Sequence, residues 1–386
     1  MRYLHKLRWR MPVAAVICGA LATGTSYAYQ KVGHFYSTFV FGQSMPRLSL
    51  TAPEQRLLAF CAQLPDQSKD LDAVATYRYL VLHHPLDWAR WGAFDYTGSD
   101  GIRRMVTVQQ LVHGLTGGTA DDVRGSTKQI VMRLADGVSR SGDRRVSICA
   151  LGIGMHLLED SYAHQRMAED ESLMYSTGVG HAADLSYPDY PLCDGLTEGP
   201  HATYTCQAVG ASDCPPVTNG LAKSRFCRWA DFLGQDALSP TPVASQSAAA
   251  TVAIRDLRAL VGSADDLNSW REQAGEGALL KDLHLPPEFQ KFFAAHNASD
   301  SCQALLDSAA ADASLQLVEA GAPVAGRPLS CKDVWNIYAP TAVDVFTSNE
   351  RAGKNIRERR KQGSWTDVYE CPFDLASKPG SPGTCI

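Results

Sequence analysis

One stretch restricts this chain more than any other: Gly154-Met155-His156-Leu157-Leu158-Glu159-Asp160-Ser161-Tyr162-Ala163-His164. It lies in an apolar run from Ser147 to Met167 whose spacing predicts a helix. A four-residue step advances an α-helix about 40° beyond a full turn and about 6 Å along its axis. His156, Asp160 and His164 therefore share one face, and Leu157, Leu158 and Tyr162 are left to pack elsewhere. Three such groups are costly to bury without a cation or a dense hydrogen-bond network. The face can give one metal two ligands, or let a carboxylate bridge two metals. The alternative is a polar face whose histidines pair with aspartate for structure alone.

Further ligand candidates lie on other segments. Eight of the eleven histidines fall between His34 and His201. His34 ends the run Tyr29-Gln30-Lys31-Val32-Gly33-His34; if Tyr29 is the first mature residue, its α-amine lies about one and a half helical turns away. An α-amine loses its proton readily enough to become a neutral ligand beside a dication. Asp66 stands at a helix end after Gln63-Leu64-Pro65, with Asp70 and Asp72 close behind. His113 closes a helix before Gly114, His181 follows Gly180 in a loop, and Asp189 comes after Pro188. Capping and surface exposure explain each of these singly. Their occurrence together with the central helix is what points to metal. His83 and His84, next to Pro85, read as a helix end.

The first residues read as an export signal. Arg2, Lys6, Arg8 and Arg10 precede an apolar run from Met11 to about Leu21, and Ser26-Tyr27-Ala28 offers small residues at a cleavage site. The run is short for a bilayer span. The expectation is a signal peptide over 1–28, cut after Ala28, and a periplasmic or secreted product. Ile17 before Cys18 argues against lipidation. No other segment is long and apolar enough to span, so no transmembrane segment is expected in the mature chain. Setting Cys18 aside leaves ten of eleven cysteines, an even number without any C-x-x-C pair. In an oxidising compartment this suggests up to five disulfides, of unreadable connectivity.

Helical spacing recurs over Val32–Gln43, Ala52–Leu64, Ile102–Leu115, Thr127–Leu134, Gln246–Leu260, Pro287–Ala295, Cys302–Glu319 and Lys332–Asn349. Period-two alternation is scarce. The fold class is therefore all-α, a multi-helix bundle with disulfides. Residues 29–235 are expected to form a helical domain ending in a cysteine-rich loop region, and 236–386 a C-terminal helical extension. The basic run from Arg351 to Lys361 reads as a solvated helix face or a phosphate- or membrane-facing patch. A hydrophobic share of 45% excludes a disordered tail, and a formal net charge of -5 argues against a protein that coats nucleic acid.

The leader, the Gly33-His34 pair, the isolated Asp66 and the His156-x-x-x-Asp160 helix with a later histidine together resemble the zinc-dependent phospholipase C and single-strand nuclease superfamily, in its bacterial helical branch. The resemblance covers roughly residues 29–195. It implies an all-α fold around two or three zinc ions. Tyr29, His34, Asp66, His113, His156, Asp160, His164, His181 and Asp189 would be the ligands, with His113 preferred to His84. The chain departs from the family pattern in places. Three residues separate Asp160 from His164, position 166 is arginine, and Leu185 stands where the family has a carboxylate, so that Asp184 or Asp189 must substitute.

The reaction so implied is metal-assisted phosphoester hydrolysis, with Asp160 bridging and Asp66 either a ligand or the base that orients water. Glu159 is a candidate to support a ligand histidine, or else is solvated. The expected partner is a phosphoester, with phospholipid at a membrane surface favoured narrowly. The chain's acidity gives no support for a nucleic-acid groove. The competing expectations are an exported helical protein that binds metal or a partner without catalysis, and a nuclease of the same superfamily.

Overall fold

The computed structural model describes residues 34, 35, 38, 48–86, 100–166, 172–178, 180, 292, 300–317, 328–349, 351–352 and 371–373. These residues are all-α, with isolated bridges and no strand among them. Among the described residues seven α-helices follow one another: α1 Ala52–Gln67, α2 Ala73–His83, α3 Asp100–Thr107, α4 Ala120–Val138, α5 Arg144–Ala163, α6 Cys302–Ala311 and α7 Cys331–Ser348. A π turn, Val108–Val112, continues α3. His34, Phe35 and Thr38 are also helical.

Local chemistry explains where the helices start. Asp72, Asp143, Ser301 and Ser330 each cap a helix by accepting N–H groups of the first turn. Glu54 accepts the N–H of Thr51 at the start of α1. The centre of the bundle is α5, in which every residue from Val146 to Ala163 is buried. A helix that is covered all round belongs in a core. It packs against α1, α4 and α7.

Two glycines allow the closest of these approaches. A Cβ on Gly152 would lie 2.6 Å from both Cys61 Cβ and Leu58 O of α1, and one on Gly154 would lie 2.8 Å from Leu134 Cδ1 of α4. Beside Gly152, the Cys61–Cys149 disulfide ties α1 to α5. A loop of 88 residues so closed removes about 4–5 kcal/mol of unfolded-state entropy. A second disulfide, Cys302–Cys331, joins α6 to α7, and Cys371 is also disulfide-bonded. Both C-terminal helices share one apolar core with α1–α5.

Several expected boundaries move. The helix expected over Thr127–Leu134 runs from Ala120 to Val138, and the one from Cys302 stops at Ala311, where Asp312 turns the chain. α5 starts earlier than expected and ends at Ala163. The helix α2 was not expected. The single helix expected over Ile102–Leu115 is α3 with the π turn. The leader, the cysteine-rich loop region, the helix expected over Gln246–Leu260, and most of those over Val32–Gln43 and Pro287–Ala295 lie outside the described residues. So does the basic run beyond Ala352.

Candidate metal centre

Three helical segments and the π turn each bring at least one imidazole or carboxylate to a single buried point. The turn containing His34 supplies one, α1 supplies Asp66, the π turn delivers His113, and α5 carries His156 and Asp160. All five are at most 2% exposed. Two overlapping sets have ligand atoms within 4.8 Å of one another: His34, His156 and Asp160, and Asp66, His113 and His156. These buried clusters can hold a metal ion.

The π turn matters for His113. Its N–H reaches back five residues to Val108 O, at 3.3 Å, instead of four. The extra residue re-aims the side chains after it, a use of π turns common at functional sites. Gly114 then takes φ +63°, a left-handed conformation that glycine adopts at little cost.

Each histidine has one ring nitrogen fixed. His156 Nδ1–H donates to Ala62 O at 2.8 Å, and His113 Nε2–H donates to Leu71 O at 2.8 Å. His164 Nδ1–H donates to His113 O at 2.6 Å. His34 Nδ1–H donates to Glu159 Oε2 at 2.6 Å, while Thr38 donates to the other Glu159 oxygen at 2.8 Å. Carbonyls only accept, so the anchored nitrogens of His156, His113 and His164 must carry the protons. Metal-ligating histidines have this signature, since the outer bond sets the tautomer and aims the other nitrogen.

In three of the four, that other nitrogen faces carboxylate oxygens. His34 Nε2 is 3.2 Å from Asp160 Oδ1 and 3.5 Å from Asp66 Oδ2. His156 Nε2 is 3.2 Å from Asp160 Oδ2 and 3.7 Å from Asp66 Oδ1. His113 Nδ1 is 2.9 Å from Asp160 Oδ2, 4.0 Å from Asp66 Oδ1 and 3.2 Å from His156 Nε2. Each carboxylate thus turns one oxygen toward His34 and the other toward His113 and His156. Asp66 Oδ2 and Asp160 Oδ1 have no hydrogen-bond partner among the described residues. Lone pair facing lone pair at this depth requires protons or a cation between them.

Without metal, protons serve. Burial pushes Asp66 up to about 8, with Asp160 adding repulsion and His34 and His113 opposing. Burial likewise raises Glu159 to about 7 and lowers His156 to about 3. At Asp160 burial is outweighed by His164, His156 and His34, which hold the carboxyl well below its ordinary range. At His34 and His113 burial is outweighed by the carboxylates, chiefly Asp160, and both imidazoles are raised. A dication supplies the same compensation and releases those protons.

His164, at the end of α5, adjoins the group, with Nδ1 3.8 Å from Asp160 Oδ2. Tyr29, His181 and Asp189 lie outside the described residues. His84 caps α2, and Asp70 and Asp72 bind Cys302 N–H and Ala75 N–H respectively. Glu159 is buried against His34 and not solvated. The carbonyls of Ala62 and Leu71, which orient two histidines, leave no trace in a side-chain pattern. Compared with known proteins, the chain matches no family model, no curated protein and no solved structure.

Proposed function

We propose that this chain is an exported zinc-dependent phosphoester hydrolase of the phospholipase C type, holding two or three ions. The observation that carries this reading is the pair of carboxylates, each with one oxygen toward His34 and one toward His113 and His156. One ion would be held by His34, Asp66 and Asp160, and a second by His113, His156, Asp66 and Asp160. Ligands 2.0–2.1 Å from a tetrahedral zinc stand about 3.4 Å apart. The ligand-atom separations of 2.9–4.0 Å bracket that edge. Imidazole with carboxylate is a donor set that suits zinc. A third ion would draw on His164, with His181 and Asp189.

When bound, such ions lower the pKa of water toward neutrality and polarise a phosphoester. The chain's own groups divide the remaining work. Asp160 stays ionised and supplies the bridging charge. Asp66, whose proton a bound cation would displace, would serve either as a ligand or as the base that orients water. Glu159 holds the Nδ1 proton of His34 and keeps that imidazole basic. The dry surroundings strengthen each of these interactions.

The favoured substrate is a phospholipid at a membrane surface. Among the described residues no helix is long and apolar enough to cross a membrane. The disulfides Cys61–Cys149 and Cys302–Cys331 support an oxidising compartment, periplasmic or extracellular.

One observation favours a second reading, a structural metal without catalysis: all five central groups are at most 2% exposed. Hydrolysis of a chromogenic phosphodiester and of a phosphocholine ester by purified protein, with and without chelator, separates the two. Chelator-sensitive turnover of either supports the hydrolase. Bound metal without turnover of any phosphoester supports the structural ion.

A further inference from the structure

His113 is held from several directions, and two of them lead to the C-terminal helices. Its Nε2–H is taken by Leu71 O. The preceding residue, Asp70, binds Arg104 Nη2 at 3.1 Å through one oxygen and accepts Cys302 N–H at 2.9 Å through the other. Lys69 N–H donates to Asp300 O beside it, at 2.9 Å. The segment that fixes the ring of His113 is therefore itself fixed to the start of α6.

From Cys302 the disulfide crosses to Cys331, the first residue of α7. Two helical turns along α7, the buried Tyr338 donates its phenol O–H to Leu111 O in the π turn, two residues before His113. Helical spacing would have given that carbonyl the N–H of Leu115, but Leu115 N–H bonds Gln109 O instead, at 2.8 Å. Tyr338 supplies the donor that the π turn takes away. Beyond His113, Thr116 Oγ donates to Ala352 O at 2.7 Å, and Thr119 N–H donates to Arg351 O at 3.2 Å. A closed circuit results: His113, Leu71, Asp70, Cys302, Cys331, Tyr338, Leu111 and back to His113.

We propose that α6 and α7, locked by Cys302–Cys331, are a brace that positions His113, and that Tyr338 sets the metal affinity on the His113 side of the centre. The inference rests on the metal reading above. On it, the C-terminal helices hold one histidine in place and supply no ligand of their own. Tyr338 is a positioning residue, acting on His113 through the Leu111 carbonyl.

The test uses the full chain loaded with cobalt(II), whose visible absorption reports the ligand geometry of each ion. Affinities come from competition with a chromophoric chelator. Wild type is compared with Tyr338→Phe and with the double variant Cys302→Ser/Cys331→Ser, each checked for folding by circular dichroism. In Tyr338→Phe the His113-side ion should bind 10- to 100-fold more weakly, the loss typical of an outer partner, with an altered visible band. The His34-side ion should keep its affinity. The double serine variant should weaken the same ion, and it carries the test if Tyr338→Phe does not fold. Lower thermal stability with both ions bound at wild-type affinity and unchanged spectra would make the brace merely structural and overturn the proposal. Wild type without bound cobalt would overturn the metal reading itself, and the brace with it.

Discussion

Substituting Gly152 by alanine probes how the fold holds the centre, without touching any ligand. The added Cβ would lie 2.6 Å from Cys61 Cβ and from Leu58 O, and 3.0 Å from Ala62 N. One of these atoms is next to a disulfide and two are helix backbone, so none can swing aside. Relief to an ordinary contact of about 3.4 Å needs α1 and α5 to part by about 0.8 Å. Metal–ligand distances tolerate only about ±0.2 Å. Asp66 rides on α1, while His156 and Asp160 ride on α5, so the shift falls directly between ligands. Overpacking costs about 1–3 kcal/mol, offset by about 1 kcal/mol from alanine's better helix propensity. The metal-free protein should therefore lose at most about 2 kcal/mol, while metal binding weakens 10-fold or more. Chelator competition measures the second, and thermal unfolding of the stripped protein the first. Gly125→Ala is the control, because among the described residues no atom beyond its chain neighbours and its own helix backbone lies within 4 Å of its added Cβ; it should leave metal binding unchanged. Wild-type metal affinity in Gly152→Ala would refute the claim that this close approach sets the ligand geometry.

Three further outcomes are expected. Glu159→Gln should weaken the His34-side ion by about 10- to 100-fold, because the carboxylate that accepts His34 Nδ1–H is lost; equal affinities in a chelator titration would remove Glu159 from the centre. Stability of the metal-free protein should fall as pH rises from about 6.5 to 8.5. Asp66 at about 8 and Glu159 at about 7 keep protons that the unfolded chain has already released, and the raised His34 and His113 act in the same direction. Thermal unfolding at both ends of that range, with and without metal, tests this; a stripped protein that grows more stable with pH would contradict it. Replacing Cys61 and Cys149 together by alanine should cost about 4–5 kcal/mol in denaturant unfolding, and a loss below about 1 kcal/mol would show that the loop is already constrained when unfolded.

The parts of the centre legible in the sequence are those set by local periodicity. His156 and Asp160 share a face because they are four apart, and the surrounding apolar residues announce a buried helix. The pairing of Cys61 with Cys149 is different, since 88 residues separate them and no spacing rule bears on it. Helix α2 escaped because Val74, Thr76, Tyr77, Tyr79 and Val81 read as strand formers. Its Asp72 cap and the buried Leu80 outweigh that preference. The π turn was invisible, because adding one residue to a helical turn leaves no mark in an apolar pattern. Yet it decides where His113 points. Glu159 could be named from the sequence as support for a ligand histidine, but which histidine it serves is decided by the distant segment that brings His34 and Thr38 to it. Tyr338 belongs to the same class, with a role fixed wholly by a contact 227 residues away in sequence.

The most direct test is elemental analysis of the purified chain beside His156→Ala and Asp160→Asn. Two or three zinc ions per wild-type molecule, with a reduced content in each variant, is the expected result. A wild-type chain that binds no divalent metal, or variants that both keep the full complement, would mean that these buried imidazoles and carboxylates hold each other and nothing else.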